Sequence, residues 1–546
     1  CRNYFKTLYS GSVNYQTSNA ESVVEKFLGQ VECPRLSQED KNCDEPFISA
    51  ECKAALDGMK NNTAPSVSGF SKEFIKFFWS DLETIILSYI TQVKEKKQFF
   101  VTQRRGVITL IPKPGDQKLI KNKRAICLLD IVYKIVAKVL ANRIMFVISK
   151  LVAPDQTGSI RGRYIGKNIR TVADVIEYCE SDGLSGILMA LDFQNAFNTV
   201  EHKFIYDTLA EFNFGSNFIE WAKLLHKDTE LSVINNGYTS RWFKPSRGLQ
   251  QGCPASALLF CLTVEILAIK IRNTPSIQGV NISGHDVKIS QYIDDTTLFL
   301  KNDDSGRTAL DVIKHFGTAS GLQLNLAKSQ FMWLGTKKNS QNLICGLEPC
   351  IKIKILGVKF CALYCCEEEN IRSVDTKIQN TLNQWSSRDL SLKGKITVAK
   401  SLILSQLVYI ISAVRIDRKH LQAIQSKIRK FIWRGRPPKV ARNTLYQDTE
   451  RGGLNVPDVL NIYKALRVSW FGRTLSNVYA PYSKILQARL GIRSEHLLHM
   501  NYGNKWINSQ NINPFYKEML QWLREAVPIT EPKNGREVRR QVIWNN

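Results

Sequence analysis

The sequence predicts a mixed middle region, α+β or α/β, followed by an all-helical and strongly basic part. Three observations carry this expectation. Strand-like and helix-like segments interleave from about residue 105 to about residue 360. From Ile371 onward, apolar residues recur at helical spacing instead. Gly- and Pro-containing breaks punctuate the middle region, as in "IPKPG" and "RGLQQGCP".

Taken in order, residues 1 to about 90 are mostly helical in pattern, with a Ser/Pro/Gly loop and an aromatic helix in "NNTAPSVSGFSKEFIKFFWSDL". "GVITLIPKPG" reads as a short strand. A helix follows, with Val132, Ile135, Val136, Val139 and Leu140 on one face. "SGILMALDF" is an apolar strand that ends on Asp192. "SRGLQQGCPASALLF" is a Gly-rich turn that opens a helix. "ISQYIDDTTLFL" is strand on both sides of a polar break at Asp294 and Asp295. "IKIKILGVKF" reads as one more strand. Ile371, Val374, Ile378, Leu382 and Trp385 form one helical stripe, and Leu421, Ile424, Ile428, Phe431 and Ile432 form another. The longest apolar run, "SLILSQLVYIISAV", reads as too short to span a bilayer.

Charge narrows the function. The 546 residues carry 75 Lys and Arg against 49 Asp and Glu, a net charge of +26. Such an excess attracts a polyanion, and nucleic acid is the expected one. Half of it falls between Arg372 and Arg442, on predicted helices that follow the acidic segments. With 44% hydrophobic residues the chain is expected to fold. The 13 cysteines stop at Cys366 and form no Cys-x-x-Cys pair in their densest group, Cys345 to Cys366, which argues against a zinc site. Reduced thiols and the lack of a leader-like start point to an intracellular setting, nucleus and cytoplasm. A first residue that is Cys rather than Met suggests a piece of something longer.

The adjacent acids raise the central question. Neighbouring carboxylates repel unless a cation lies between them. Oxygen donors in a turn suit Mg²⁺, which takes a few carboxylates and completes its shell with phosphates and water. Asp192 closes a second strand about a hundred residues earlier. Two such strands side by side would aim three carboxylates at one place, enough for two ions and nucleotidyl transfer. Between them, the glycines of "RGLQQGCP" permit close backbone approach, and Gln251 offers both donor and acceptor.

"ALDFQNAFNTVEHKFIYDTL", "RGLQQGCPASALLFCLTVEILA", "QYIDDTTLFL" and "SGLQLNLAKSQFMWLG" occur in the order and at the spacing of reverse transcriptases. The closest resemblance is to LINE-type, non-LTR retrotransposon polymerases. It extends over about residues 55 to 470, from "GVITLIPKPG", "KNKRAICLLDIVYKIVAKVLANRI" and "APDQTGSIRGRYIGKNIRTVADVIEY" to "WSSRDLSLKGKITVAKSLILSQLVYIISAV" and "RGGLNVPD". The resemblance implies an α+β right-hand polymerase: fingers and an antiparallel-sheet palm over 95–365, an all-helical basic thumb over 366–445, an N-terminal helical extension over 1–94 and a C-terminal helical extension over 446–546. It implies RNA-directed DNA synthesis from a primer 3′ end, with an RNA template, a DNA primer or target, deoxynucleoside triphosphates, no membrane, and two Mg²⁺ ions for which Mn²⁺ can substitute. A decayed or domesticated nucleic-acid-binding remnant is the alternative.

The same resemblance implies site roles. Asp192, Asp294 and Asp295 would be the catalytic metal ligands, with the Phe193 carbonyl beside them. Phe197 would be the steric gate against a 2′ hydroxyl. Gln251 and Gly252 would contact nucleotide and template, Lys328 the triphosphate, and Lys123 and Arg124 would be fingers cations. Tyr292 would flank the primer end. The chain departs from the family pattern at Asn198, Ala125, Ala255, Ala257 and Ile293. Asn198 is expected to serve as a helix N-cap, with Glu201 three residues on as in a capping box.

Overall fold

The computed structural model describes residues 1–11, 20–498, 500 and 502–526. The expected extension over 446–546 therefore has its last part, 527–546, outside the described residues.

The first hundred residues are helical: α1 (Arg2–Leu8), α2 (Ala20–Leu28), α3 (Ser49–Asp57), α4 (Lys72–Phe77) and α5 (Trp79–Glu95). A small sheet follows. Its strands are β1 (Arg105–Pro112), β2 (Lys123–Leu128), β4 (Glu230–Asn235) and β5 (Tyr238–Thr239), in the order β2-β1-β4-β5. The second sheet has the order β10-β3-β9-β8, from β3 (Ser185–Leu191), β8 (Ile289–Tyr292), β9 (Asp295–Leu300) and β10 (Gln330–Gly335), all antiparallel. Its strands are almost continuously buried, because both faces are covered.

Helices α6 (Ile131–Leu151) and α7 (Gly166–Ser181) lie between β2 and β3 in the chain. Then come α8 (Ala196–Thr199), α9 (His202–Glu211), α10 (Ser216–His226), α11 (Ser256–Asn273) and α12 (Asp303–Ser320). A short hairpin, β6 (Val280–Ile282) with β7 (His285–Val287), precedes β8.

Alternation along the strands splits the apolar residues between two cores. Ile187, Met189, Leu298 and Phe331 join the first, with α6, α11 and the N-terminal helices. Leu188, Phe299, Met332 and Leu334 join the second, with α7 and the C-terminal helices.

Beyond residue 360 the chain is helical: α13 (Glu367–Ser386), α14 (Leu392–Val398), α15 (Ser405–Ala413), α16 (Arg418–Trp433), α17 (Arg442–Tyr446), α18 (Val459–Ser476), α19 (Pro481–Leu490), α20 (Asn504–Ser509) and α21 (Pro514–Ala526). Both expected stripes are buried, with Trp385 half-buried at the end of the first.

Buried charges tie α7 to α21. Arg170 pairs with Asp174 at 2.9 Å, and Asp174 accepts from the Tyr516 hydroxyl at 2.7 Å. The Phe515 ring lies 4.4 Å from the Arg170 guanidinium. Arg467 is fully buried, stacks on Phe515 at 3.6 Å and donates to the Tyr463 hydroxyl at 2.9 Å.

Two expectations need correction, and one strand went unread. "IKIKILGVKF" is a hairpin, β11 (Lys352–Ile355) and β12 (Val358–Cys361), because Leu356 and Gly357 both take positive φ and fold the chain back. The charged segment 123–128 is a strand, paired with β1 from Val107↔Leu128 to Pro112↔Lys123. The apolar run near Ser401 is longer than it reads: α14, a π-helical turn and α15 make one helix, Leu392–Ala413, long and apolar enough to cross a membrane. Half of its most apolar stretch is buried, and Ile396, Ile403, Leu407 and Ile411 pack into the second core.

Candidate active site

Three carboxylates meet at one end of the central sheet. Strand β3 ends at Leu191, which pairs with Thr296 of β9. Continuing that register by one residue sets Asp192 across from Asp295. Strands β8 and β9 are joined by the two residues Ile293 and Asp294, with Tyr292 opposite Asp295. Asp294 thus sits in the hairpin turn and Asp295 opens the returning strand.

The turn is strained. Ile293 has φ +60, whereas Asp294 has no positive φ, the φ pattern of a type II′ turn that favours Gly at its first position. A β-branched residue there costs about 1–3 kcal/mol unless its surroundings hold it. The surroundings do so through Gln156, which is fully buried. Its Oε1 accepts from the Ile293 amide at 2.8 Å and from the Gly158 amide at 2.9 Å, and its Nε2 donates to the Ile293 carbonyl at 3.2 Å. Backbone bonds Thr157 N–H to Gln291 O and Gln291 N–H to Asp155 O, both 2.9 Å, dock this segment along β8. A Cβ on Gly158 would lie 2.4 Å from Ile293 Cγ1. Asn168 of α7 donates to the Ser290 hydroxyl and the Gln291 carbonyl, each at 2.8 Å.

The carboxylates bear on one another. Burial raises the Asp294 carboxyl above its ordinary range; the Asp192 charge adds to this, while Lys113 and Arg124 oppose it. Burial, then the Asp294 and Asp192 charges, push Asp295 up to about 6. Cations stand on the other side. Lys328, on an exposed turn, has Nζ 3.7 Å from Asp192 Oδ2. Lys113 is depressed by burial and by Arg124 and Lys328, and is held up by Asp192 and Asp294. Arg124 projects from β2 as an exposed side chain. Its neighbour Lys123 falls on the other face and bonds Gln117 at 3.2 Å. The sequence reading did not single out Lys113; its signal was a lysine at the end of the apolar strand in "GVITLIPKPG".

The remaining residues form the floor. Phe193 is buried, and its bridge to Leu324 runs through the Asp192 carbonyl and the Gln194 amide, not through Phe193's own polar groups. Phe197 is half-buried and stacks on Phe260 of α11, centroids 4.6 Å apart at 17°. Its carbonyl accepts from the Leu249 amide at 2.6 Å, so the Gly-rich loop is pinned to α8. The loop's other end is pinned to β2: the Gln251 carbonyl accepts from the Cys127 amide at 2.7 Å. Gly252 has φ +135, and a Cβ there would sit 2.3 Å from the Cys127 carbonyl oxygen. Its missing side chain lets the loop touch the strand that carries Arg124. Asn198 is not a cap. It lies inside α8, buried, and its Oδ1 accepts from the Tyr9 hydroxyl at 2.9 Å. Glu201 is no box partner either; its carboxylate faces Arg247 at 3.5 Å.

The donor set is all oxygen and suits a hard divalent cation. Among the described residues no three His, Cys, Asp or Glu side chains form a group able to hold an ion unaided. An ion bound at these carboxylates would need further ligands from phosphates and water, which is the ordinary habit of Mg²⁺.

The family model of reverse transcriptase (RNA-dependent DNA polymerase) matches residues 111–360. That span includes all three acids. The chain is similar to the Transposon TX1 uncharacterized 149 kDa protein of Xenopus laevis, 28% identical over 74% of this chain and 31% of that protein. It is also similar to the retrovirus-related Pol polyprotein from type-2 retrotransposable element R2DM of Drosophila melanogaster, 24% identical over 68% of this chain and 35% of that one. A Pol polyprotein from type-1 retrotransposable element R2 of Popillia japonica is 28% identical over 40% of this chain and 31% of its own length. The chain spans about a third of the length of these relatives. Residues 111–360 match the reverse transcriptase family, and over a wider span the chain is similar to proteins of the TX1 and R2 retrotransposable elements.

Proposed function

We propose that the chain is an RNA-directed DNA polymerase that extends a primer 3′ end on an RNA template by two-metal nucleotidyl transfer. The single observation that supports this most is the opposition of Asp192 to Asp295 across paired strands, with Asp294 beside them in the hairpin turn. In this reading the central sheet and the β1–β2 region make palm and fingers over 95–365, and 366–445 is the thumb.

Asp192, Asp294 and Asp295 would hold two divalent ions, Mg²⁺ or Mn²⁺ in its place. Bound there, the ions supply activation of the primer hydroxyl and neutralisation of the leaving pyrophosphate. The protein's own part is positioning and charge. Lys328, Arg124 and Lys113 face the carboxylates from the triphosphate side. Lys328 is exposed beside Asp192 and would hand the leaving group a proton. Phe197, backed by Phe260, fills the space a 2′ hydroxyl needs. Gln251 and Gly252 border template and nucleotide, and Tyr292 flanks the primer. RNA, a DNA target and deoxynucleotides are the partners, in a ribonucleoprotein of nucleus and cytoplasm.

The test is primer extension on an RNA template with purified protein, beside an Asp294→Ala variant. Extension by the wild type and none by Asp294→Ala, at a thermal midpoint no lower than that of the wild type, is the expected result. Full activity in the variant would mean that the site is misplaced. A nucleic-acid-binding remnant without turnover is the second reading, favoured by one observation: a β-branched residue at positive φ in the hairpin. Salt-dependent RNA binding with no metal-dependent synthesis would select it.

A further inference from the structure

We propose that Gln156 is a positioning residue: it holds the Ile293 backbone in its left-handed conformation, and so sets Asp294 and Asp295 against Asp192. The inference rests on the polymerase reading above and adds to it a part outside the three acids.

The geometry is specific. A primary amide offers one acceptor and one donor edge, and a peptide unit in a sharp turn needs both. Gln156 presents both to a single residue, at 2.8 Å and 3.2 Å, from a side chain with no solvent exposure. Ile293 immediately precedes Asp294, so any relaxation of its φ swings the next two Cα–Cβ bonds. Nothing in the hairpin's own sequence favours the observed conformation, since isoleucine resists positive φ. The restraint must come from outside, and Gln156 supplies it. Gly158 completes the mould, because any side chain there would strike Ile293. Thr157 and Asn168 fix the level of this segment along β8, so the amide reaches the turn and not the strand below it.

A residue that only fills space would be replaced without consequence for the metal. A residue that restrains φ at 293 makes a sharper demand: its loss is repaired by a residue that needs no restraint. Glycine at 293 is such a residue.

The experiment uses the full chain and four variants: Gln156→Ala, Gln156→Glu, Ile293→Gly, and Gln156→Ala with Ile293→Gly. Mn²⁺ binding is titrated directly by the loss of the free-ion electron paramagnetic resonance signal, without nucleic acid. Primer extension is measured in parallel as kcat and KM for the nucleotide, with thermal midpoints for all proteins. The expected results are about tenfold weaker Mn²⁺ binding and lower kcat at unchanged KM in Gln156→Ala. Gln156→Glu, which keeps the acceptor for the Ile293 amide, should lose less. The double variant should return to within about threefold of wild type. Three results overturn the proposal: Gln156→Ala that binds Mn²⁺ like wild type, a binding defect that Ile293→Gly fails to repair, or equal defects in Gln156→Ala and Gln156→Glu. If the wild type binds Mn²⁺ and responds to these variants yet extends no primer, the polymerase reading fails while the positioning role stands. Should Gln156→Ala fail to fold, the folded Gln156→Glu and double variants still decide the matter.

Discussion

Replacing Asp192 with Asn should stabilise the metal-free protein while destroying its function. The substitution keeps size and shape and removes one of three like charges. Asp295 rises from 3.8 to about 6, with burial as the first cause and the Asp294 and Asp192 charges behind it. At 1.36 kcal/mol per unit the whole displacement corresponds to about 3 kcal/mol. Asp295 is an exposed residue, so solvent screening removes much of this, and only part of the rest belongs to Asp192. What remains is about 0.5–1 kcal/mol. The lost pair with Lys328, at 3.7 Å and well exposed, subtracts little.

The sign follows from linkage. A carboxyl raised in the folded state is protonated there before it is protonated in the unfolded chain. Its favourable share is therefore present below about pH 4 and disappears as the pH climbs to about 6. Urea unfolding in EDTA at pH 7 should place Asp192→Asn above wild type by that margin, and at pH 4 the margin should vanish. With millimolar Mg²⁺ at pH 7 the order should reverse, because only the wild type gains from binding. An Asp192→Asn protein less stable than wild type in EDTA at pH 7, or one with the same margin at pH 4, would refute the repulsion argument.

Other predictions concern the floor of the site and its supports. Phe197→Ala should cut the preference for deoxy- over ribonucleotides at least tenfold in single-nucleotide incorporation, and cost about 2 kcal/mol in unfolding through the lost stack on Phe260. Gly252→Ala should lower the urea midpoint by the equivalent of about 2–4 kcal/mol, since its methyl would meet the Cys127 carbonyl at 2.3 Å. Tyr9→Phe should cost about 1–2 kcal/mol by stranding the buried Asn198 oxygen, a loss that chemical denaturation would register.

The strands that carry the acids were legible because their signal is local. Apolar runs stop at Asp192 and at the Asp294–Asp295 pair, and antiparallel pairing of those runs can only bring the acids together. Strand β2 was not legible. Its six residues, "KRAICL", open with two cations and have no turn signal on their far side; pairing with β1 decides the matter. Asn198 was misread because a cap depends on where a helix starts, and α8 begins three residues earlier than the capping pattern required. Gln156 lies 137 residues from the turn it grips, and no periodicity in "APDQTGS" announces that. Arg170 and Asp174 look like any exposed i,i+4 pair on paper; their burial comes from α21, far along the chain. Local patterning thus exposed the acidic edge of the sheet, whereas the residues that hold that edge still are defined by contacts only the folded chain makes.

The link between α7 and α21 also has a meaning for synthesis on the ribosome. Asp174 and its Tyr516 partner are 342 residues apart. At a translation rate of 5–20 residues per second, roughly 20–70 s pass between the appearance of the one and of the other. Through that interval one face of the central sheet has α7 but not the helices that will close over it. The nascent protein must carry this open, apolar flank until α21 has been made.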